Sequence, residues 1–403
     1  MQPEPVGDVG TLSRGGLRRV LAVLCSTEIV SWGVLYYAFP VLAPAMVADT
    51  GWSVGTVTAA FSLGLVVAAV AGIPAGRWLD RYGPRRVMTA GSAIAVPAVV
   101  AIATAPTLPW FFAAWTLAGL AMAGVLYPPA FAALTRWWGP RRVTALTALT
   151  LLAGLSSTIF APVTAGLVAH LSWRQSYLVL AVVLAVTTVP AHVFGLRGPW
   201  PAPDPADRRA DDDHGPGAIA RSRPFLLLVA AIALGTFAGF AVVVNQVPLL
   251  IERGLSTTTA AWALGLGGLG QVLGRLGYPT LTRRTGVRMR AVLILGALAV
   301  TTALLALLPG PAAALIAAAM LAGAARGVFT LLQATAVSDR WGAAHYGRLN
   351  GLFLAPATVA TALAPWAGAA LSEVLGGYPA VFVLLAGLAA AAAVLAVWTV
   401  PRR

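Results

Sequence analysis

The chain has 403 residues, of which 59% are apolar and 10% charged, with a mean hydropathy of +0.83 and a formal net charge of +14. A soluble chain of this size is about a quarter charged, so this one cannot cover a globule with polar groups and must place apolar surface in lipid. That excludes a secreted disulfide scaffold, a disordered regulator and an ordinary cytosolic enzyme. The single cysteine, Cys25, permits no intramolecular disulfide and reads as a small apolar residue of the first span.

A helix needs about 20 mostly apolar residues to cross a bilayer. Residues 1–17 are polar, and no short apolar region with a small-residue cleavage site follows, so no removable signal peptide is expected. Twelve spans are predicted in chain order: 18–46, 54–76, 87–106, 110–134, 143–170, 174–195, 225–251, 259–281, 289–309, 312–337, 345–371 and 378–400. Between the sixth and seventh lies the one long polar stretch, 196–224, which contains PWPAPDPADRRADDDHGPG. It is Pro-rich and charged and reads as a flexible linker. Asp211, Asp212 and Asp213 beside His214 are read as part of that solvated linker and not as a metal site. The expected organisation is an N-terminal six-helix half (1–195), a cytoplasmic linker (196–224) and a C-terminal six-helix half (225–403).

All 27 basic residues are arginine. With both termini inside, 23 of the 27 fall on the inside, while the outside loops hold only Arg174 and Arg253. This is the positive-inside bias of a multi-pass protein of the cytoplasmic membrane with both termini cytoplasmic. It accounts for the basic balance without nucleic acid, whose binding needs a continuous soluble basic face.

The two halves repeat at an offset of 203 residues. Gly51 and Ser53 pair with Gly254 and Ser256, Arg81/Gly83/Arg85 with Arg284/Gly286/Arg288, Gly124/Val125 with Gly327/Val328, Trp138/Gly139 with Trp341/Gly342, and Pro162 with Pro365. A repeat of six spans keeps the same topology in each copy, so the copies are parallel and related by an axis along the membrane normal, with substrate sites near the midplane where they meet. The fold class expected is an all-α polytopic membrane protein of twelve transmembrane helices.

After the second span the chain reads Gly76-Arg-Trp-Leu-Asp80-Arg81-Tyr-Gly83-Pro-Arg85-Arg86. This resembles the loop 2–3 signature of the major facilitator superfamily, and with the six-plus-six arrangement the resemblance covers essentially the whole chain. It implies a secondary transporter working by alternating access, with Asp80, Arg81, Gly83 and Arg85 in a gating loop and Asp80 as a latch between the halves. The second copy has Arg283 where the first has Asp80, so the latch is expected to be one-sided. A finer resemblance, to monocarboxylate transporters and their oxalate/formate-exchanger relatives, rests on Gly51-Trp52-Ser53, on Gly124-Val-Leu-Tyr127-Pro-Pro-Ala-Phe131 with Arg136 and Trp138, on Gly154 and Pro162, and on Gly274-Arg275. In that family an arginine of the eighth helix binds the substrate carboxylate, and Arg275 is the matching position. The animal branch often carries an aspartate one turn before it; here Gln271 stands there. The fifth span has Ala161-Pro162-Val-Thr-Ala-Gly166 in place of the full glycine-rich element of drug/proton antiporters.

Three ionisable residues lie deep in spans: Glu28, Arg275 and Arg326. A charge at the bilayer centre costs about 2.5–3.5 kcal/mol on insertion scales, so such residues face the protein interior or a wet cavity and are functional by default. All three break the repeat, their partners being Ala231, Gly72 and Ala123. At about 1.5 Å per residue, Arg275 lies ~24 Å into its helix, Arg326 ~21 Å and Glu28 ~15 Å, so all three can reach a shared cavity. Two arginines against one glutamate leave a positive surplus that suits an anion, and a guanidinium matches a carboxylate bidentately. Arg275 is therefore expected to hold a carboxylate. Two roles remain for the others: Arg326 paired with Glu28, or Arg326 on a second anionic group with Glu28 carrying a proton. Tyr36, Tyr127, Asn245 and Gln271 complete the candidate substrate-binding set, with Tyr37, Gln246 and Gln333 as further polar residues.

The glycines Gly265, Gly267, Gly268 and Gly270 lie inside a span with no preceding strand, so they read as close helix packing and not as a nucleotide loop. His170, His192, His214 and His345 show no ligand spacing, and no metal or other cofactor is expected. The thirteen tryptophans are read mostly as an interfacial belt. The chain has no lysine and hence no GxxxxGK loop, so transport must draw on gradients. The sequence reading is a carrier, not an enzyme. It moves a small organic anion, expected to be a monocarboxylate, with a proton or by exchange, and its partners are that substrate, the proton and membrane lipid, with the protein acting as a monomer. The alternative is proton-driven efflux of a drug-like or biosynthetic metabolite.

Overall fold

The computed structural model of the chain describes residues 12–200, 216–341 and 346–401. Asp211–Asp213, His214, His345, Gly342 and the arginines at 208, 209, 402 and 403 lie outside the described residues. Among the described residues there is no strand. The long helices are α1 (Arg14–Thr50), α2 (Val54–Tyr82), α3 (Pro84–Ala103), α4 (Leu108–Trp138), α5 (Arg142–Ala153 continued by Ser156–His170) and α6 (Trp173–Gly195). They are followed by α7 (Arg223–Glu252), α8 (Thr257–Arg284), α9 (Val287–Leu307), α10 (Ala312–Thr335), α11 (Tyr346–Leu375) and α12 (Tyr378–Ala396).

Eleven of the twelve are long and apolar enough to cross a membrane. The exception is α8. At 28 residues it is long enough, but five glycines and Gln271 within Thr257–Gly274 dilute its apolar content, and Arg275 follows at once. Large apolar side chains face outward around the bundle, among them Val186, Val300 and Val374, as a protein seated in lipid requires. The chain is a multi-pass membrane protein.

The internal repeat has a local cause that can be read at its turns. Gly51 and Gly254 adopt φ of +70° and +88°, a left-handed conformation that glycine enters without steric cost. Each closes the helix before it, α1 or α7. Two residues on, Ser53 and Ser256 accept the N–H groups of Thr56 and Thr259 at 3.1 and 3.2 Å and start α2 and α8 as N-caps. The six-helix units pack in the same order: α2 on α4 and α3 on α6 in the first, α8 on α10 and α9 on α12 in the second.

Three interruptions shape the interior. In α1 the turn Gly33–Tyr37 is widened, with the Ala38 N–H bonded to the Gly33 carbonyl; such wide turns occur often at functional sites. In α4 the chain becomes extended at Leu126 (φ −90°, ψ −171°), because Pro128 and Pro129 have no N–H to donate to the preceding turn. In α5 the helix breaks at Gly154 and Leu155. All three breaks lie inside membrane spans, where irregular backbone is tolerated only when buried in protein or lining a cavity.

The first six helices meet the last six chiefly through α2 against α11 and α5 against α8. The Gly55 N–H donates to Glu373 Oε1 at 2.9 Å, the Trp366 N–H to Ser62 Oγ at 3.0 Å and the Thr158 hydroxyl to the Gly265 carbonyl at 2.8 Å. These contacts lie toward the end opposite the arginines. At the arginine-rich end, residues 351–359 of α11 are exposed around most of their circumference, with only Phe353 and Ala357 buried. The bundle is closed at the far end and open at the arginine-rich end.

Close approach of α8 and α10 depends on missing side chains. A Cβ at Gly323 would fall 1.8 Å from the Gly267 carbonyl oxygen, whereas one at Gly296 on α9 would meet nothing within 4 Å. Gly323→Val is expected to force the pair apart at a cost of about 1–3 kcal/mol or more. Thermal denaturation of the purified protein in detergent should show a clear drop in Tm, with Gly296→Val as the tolerated control; equal melting of the two variants would remove α8–α10 contact from the determinants of stability.

Candidate functional site

The central cluster is built from α1, α4, α8 and α10. Arg326 on α10 donates through Nε and Nη2 to Gln271 Oε1 on α8, at 3.0 and 2.9 Å. Arg275 lies one turn beyond Gln271 on the same face of α8 and crosses to the other half, where Nη1 donates to the Thr150 carbonyl of α5. That approach needs the small residue beside it, since a Cβ at Gly154 would lie 3.1 Å from Arg275 Nη1. Arg275 Nε has no partner. The two guanidinium groups lie within electrostatic range of one another, and both are buried, with 6% and 9% residual exposure for Arg275 and Arg326.

Opposite them stand the aromatic residues of α1 and α4. Tyr127, the first residue after the break in α4, is within electrostatic range of Arg275, Glu28 and Tyr37. It stacks on Phe131 with centroids 5.0 Å apart and leans on Trp32 at 5.1 Å. Tyr36 is buried at the widened turn of α1, 5.3 Å from Trp32 and from Phe61, within range of Arg326, with no hydrogen-bond partner for its hydroxyl. Glu28 is fully buried. Neither of its oxygens has a hydrogen bond of normal geometry, and the donor in its neighbourhood is the Trp32 indole one turn on.

The structure thus brings Arg275, Arg326, Gln271, Tyr36, Tyr127 and Glu28 into one neighbourhood. Arg326 is engaged by Gln271 and not by Glu28, so the Glu28–Arg326 pair allowed by the sequence is not formed in this state. Asn245 is held elsewhere: its amide donates to the Ala241 carbonyl at 2.8 Å and the Pro365 carbonyl at 3.5 Å. It presses on Gly368, where a Cβ would fall 2.2 Å from Asn245 Nδ2, and so joins α7 to α11. Its neighbour Gln246 is buried with Nε2 unpartnered, and Gln333 donates to Thr236 Oγ1 at 2.7 Å.

Two members of the site carried little sequence signal. Trp32 belongs to the cluster and not to an interfacial belt; its spacing of four from Glu28 and from Tyr36 placed all three on one face of α1. The Thr150 acceptor is a backbone carbonyl, which every residue has.

The gating loop lies at the arginine-rich end. Arg136 Nη2 meets Asp80 Oδ1 at 2.5 Å, with the Asp80 side chain 60% exposed. Such a pair contributes about 0–1 kcal/mol, and here it ties α2 to α4 within one half. The Trp200 indole donates to the Asp80 carbonyl at 3.1 Å, and the Arg136 guanidinium sits 4.6 Å above the Trp200 ring. Gly83 turns the chain with φ +78°, Arg81 lies over Tyr82 at 5.2 Å, and Arg85 Nε donates to the Val193 carbonyl at 2.9 Å. The expectation of Asp80 as a latch between the halves is not met in this state, since its partner Arg136 belongs to the same half. The offset of 203 carries Arg136 onto Asp339, and Asp339 forms an ion pair with buried Arg290. At that offset Arg290 corresponds to Val87, so the second half holds a different pair, between α9 and the segment after α10, which also stays within its half.

The family model of the Major Facilitator Superfamily matches residues 24–318 and 290–403. The oxalate:formate antiporter of Oxalobacter formigenes is 25% identical over 409 aligned residues, covering 99% of this chain and 95% of that protein. Monocarboxylate transporter 13 of Bos taurus is 28% identical over 252 residues, 61% of this chain and 55% of that protein. Among solved structures, the nucleoside transporter NupG superposes with a TM-score of 0.73 at 16% identity, covering 94% of this chain and 98% of that one. An inward-facing, unoccupied bacterial homologue of the human lysosomal transporter Spinster gives a TM-score of 0.70 at 15% identity, covering 96% of this chain and 95% of the other. The twelve-helix fold, the repeat and the full-length match agree: the chain belongs to the Major Facilitator Superfamily and is a transporter, not an enzyme.

Proposed function

We propose that this protein carries a small organic anion, a monocarboxylate or short dicarboxylate, across the cytoplasmic membrane by alternating access, with a proton or in exchange for a second anion. The observation that carries this reading is the pair of buried guanidinium groups, Arg275 and Arg326, without a carboxylate bonded to either among the described residues. Two relatives bear the names of carboxylate carriers, an oxalate:formate antiporter and a monocarboxylate transporter, which supports the same substrate class. The arginine-rich end is the cytoplasmic side in this reading, and both termini lie there.

Arg275 has one terminal nitrogen on the Thr150 carbonyl and its Nε free. A carboxylate arriving from the open end can take Nε and the adjacent terminal nitrogen side-on, the bidentate geometry that a guanidinium offers. Arg326 supplies a second positive charge while Gln271 fixes its orientation. The Tyr127 and Tyr36 rings form the apolar wall, and their hydroxyls are donors within range of the arginines. Because Arg275 bridges the halves, an anion seated on it touches both sides of the cleft, which is what a substrate must do to favour a closed state over an open one. Glu28 is the proton carrier: a carboxyl on α1 with no fixed partner, one turn from Trp32 and in range of Tyr127.

Two variants test the assignment in proteoliposomes. Arg275→Ala is expected to remove a charge-assisted bidentate contact of about 2–5 kcal/mol, so uptake of labelled oxalate or formate should fall about thirty-fold or more at subsaturating substrate. Uptake at wild-type KM would defeat the anion reading. Glu28→Gln should retain substrate counterflow while losing accumulation driven by an imposed pH gradient; accumulation equal to wild type would take proton coupling away from Glu28.

A further inference from the structure

A cavity of about 740 Å³ lies at the arginine-rich end, outside the cleft between the halves. It is bounded by the loop after α2, the first turns of α3, the end of α4 and the segment that leaves α6. Arg85 and Arg86 come to it from one segment and Arg197 from another, and among the described residues no acidic side chain lines it. Among the described residues none of these three arginines is in an ion pair. Their contacts are of other kinds: Arg85 Nε on the Val193 carbonyl, Arg86 over the Tyr82 ring at 5.6 Å and Arg197 over the Phe194 ring at 5.0 Å. The remaining wall is largely apolar, with Ala90, Leu196 and two tryptophans, Trp137 and Trp200. The Thr89 hydroxyl in that wall is buried and has no partner.

The position of the cavity identifies its occupant. α3 and α6 pack on one another, while the halves meet through α2, α5, α8 and α11, so the cavity opens on the periphery of the bundle. The α6 face leading to it exposes Val182, Val186 and Phe194 at 61%, 64% and 59%. A stripe of that kind suits acyl chains, and tryptophan rings such as those in the cavity wall collect at the headgroup level of membrane proteins. A soluble anion would use the arginines and leave both the apolar wall and the α6 stripe without a role. A zwitterionic headgroup would set its ammonium beside three cations that have no ion-pair partner among the described residues. A headgroup of net negative charge satisfies the guanidinium donors and places its chains along α6.

We propose that this cavity is a binding site for an anionic phospholipid, with the phosphodiester held by Arg85, Arg86 and Arg197 and the acyl chains on the α6 face. Trp200 lines the cavity and also holds the Asp80 carbonyl, so an occupied site fastens the gating loop to the segment leaving α6.

The test uses the full chain in nanodiscs of dioleoylphosphatidylcholine, alone or mixed equally with dioleoylphosphatidylglycerol. A ligand bound only to the folded state raises Tm, and the mixed discs should raise it by several degrees. Arg86→Gln/Arg197→Gln should lose that rise, and so should Ala90→Trp, which fills the cavity without changing charge. Arg283→Gln/Arg284→Gln removes the same charge from the end of α8 and should keep it. A rise that survives in both cavity variants, or that the α8 control loses equally, overturns the site. An equal rise from inorganic phosphate in phosphatidylcholine discs overturns the lipid as its occupant.

Discussion

A guanidinium inside a bilayer must have an acceptor, and that requirement organises the middle of this molecule. Arg275 and Arg326 each cost about 2.5–3.5 kcal/mol to place there. The fold supplies the acceptors from protein: the Gln271 side chain for one and the Thr150 carbonyl for the other. Both acceptors are in reach only because α8 is pressed against α10 on one side and α5 on the other. A Cβ at Gly327 would fall 2.1 Å from the Gln271 carbonyl oxygen, and one at Gly268 would fall 2.1 Å from the Ser157 hydroxyl. The least apolar long helix is thus closely packed on both sides, and its glycines serve packing and chemistry together.

The gross architecture was legible because its causes are local. Long apolar runs, the Gly–x–Ser turns that close α1 and α7, and the loop after α2 each depend on a handful of neighbouring residues. The deep charges were legible because lipid makes them exceptional. What escaped depends on partners far apart in the chain. Arg326 could have paired with Glu28 or with Gln271, and the choice rests on the crossing of α8 and α10, which no composition reveals. The Thr150 carbonyl has no identity in sequence. Asn245 is polar in an apolar helix, as a binding residue is, yet in this state its amide is committed to α11; a hydrogen bond between helices and one to a ligand draw on the same side chain. The pair Arg290–Asp339 was hidden because the offset carries only one member of the Asp80–Arg136 pair onto it: Arg136 maps to Asp339, while Asp80 maps to Arg283 and Arg290 corresponds to Val87.

The two ends of the bundle are held by different means. At the arginine-rich end the ion pairs Asp80–Arg136 and Arg290–Asp339 each stay within one half and stiffen it. At the far end the contacts cross between halves: Glu373 on the Gly55 N–H in the first turn of α2, Ser62 on Trp366 and Thr158 on Gly265. Glu373 gains from the helix N-terminus as well as from the hydrogen bond, since the aligned peptide dipoles favour a negative charge there. Bonds of these kinds contribute about 0.5–1.5 kcal/mol each, and up to about 3 kcal/mol when one partner is charged. Their sum is a few kilocalories, small enough for a substrate to tip.

That magnitude gives the Arg275–Thr150 contact its place in the cycle. Moving a two-state equilibrium from strongly one side to strongly the other takes a differential affinity of about 5.5 kcal/mol. A charge-assisted bidentate contact provides about half of that, and a second arginine the rest, only if both engage the ligand more strongly in one state than in the other. Arg275 spans the halves in this state, through the Thr150 backbone carbonyl of α5. In the proposed reading, an anion that takes the free Nε of Arg275 acts on a link between α8 and α5, and so on the relative energy of the states that those helices define. In this state the Thr150 carbonyl is the acceptor, so the guanidinium is not left in the membrane without one.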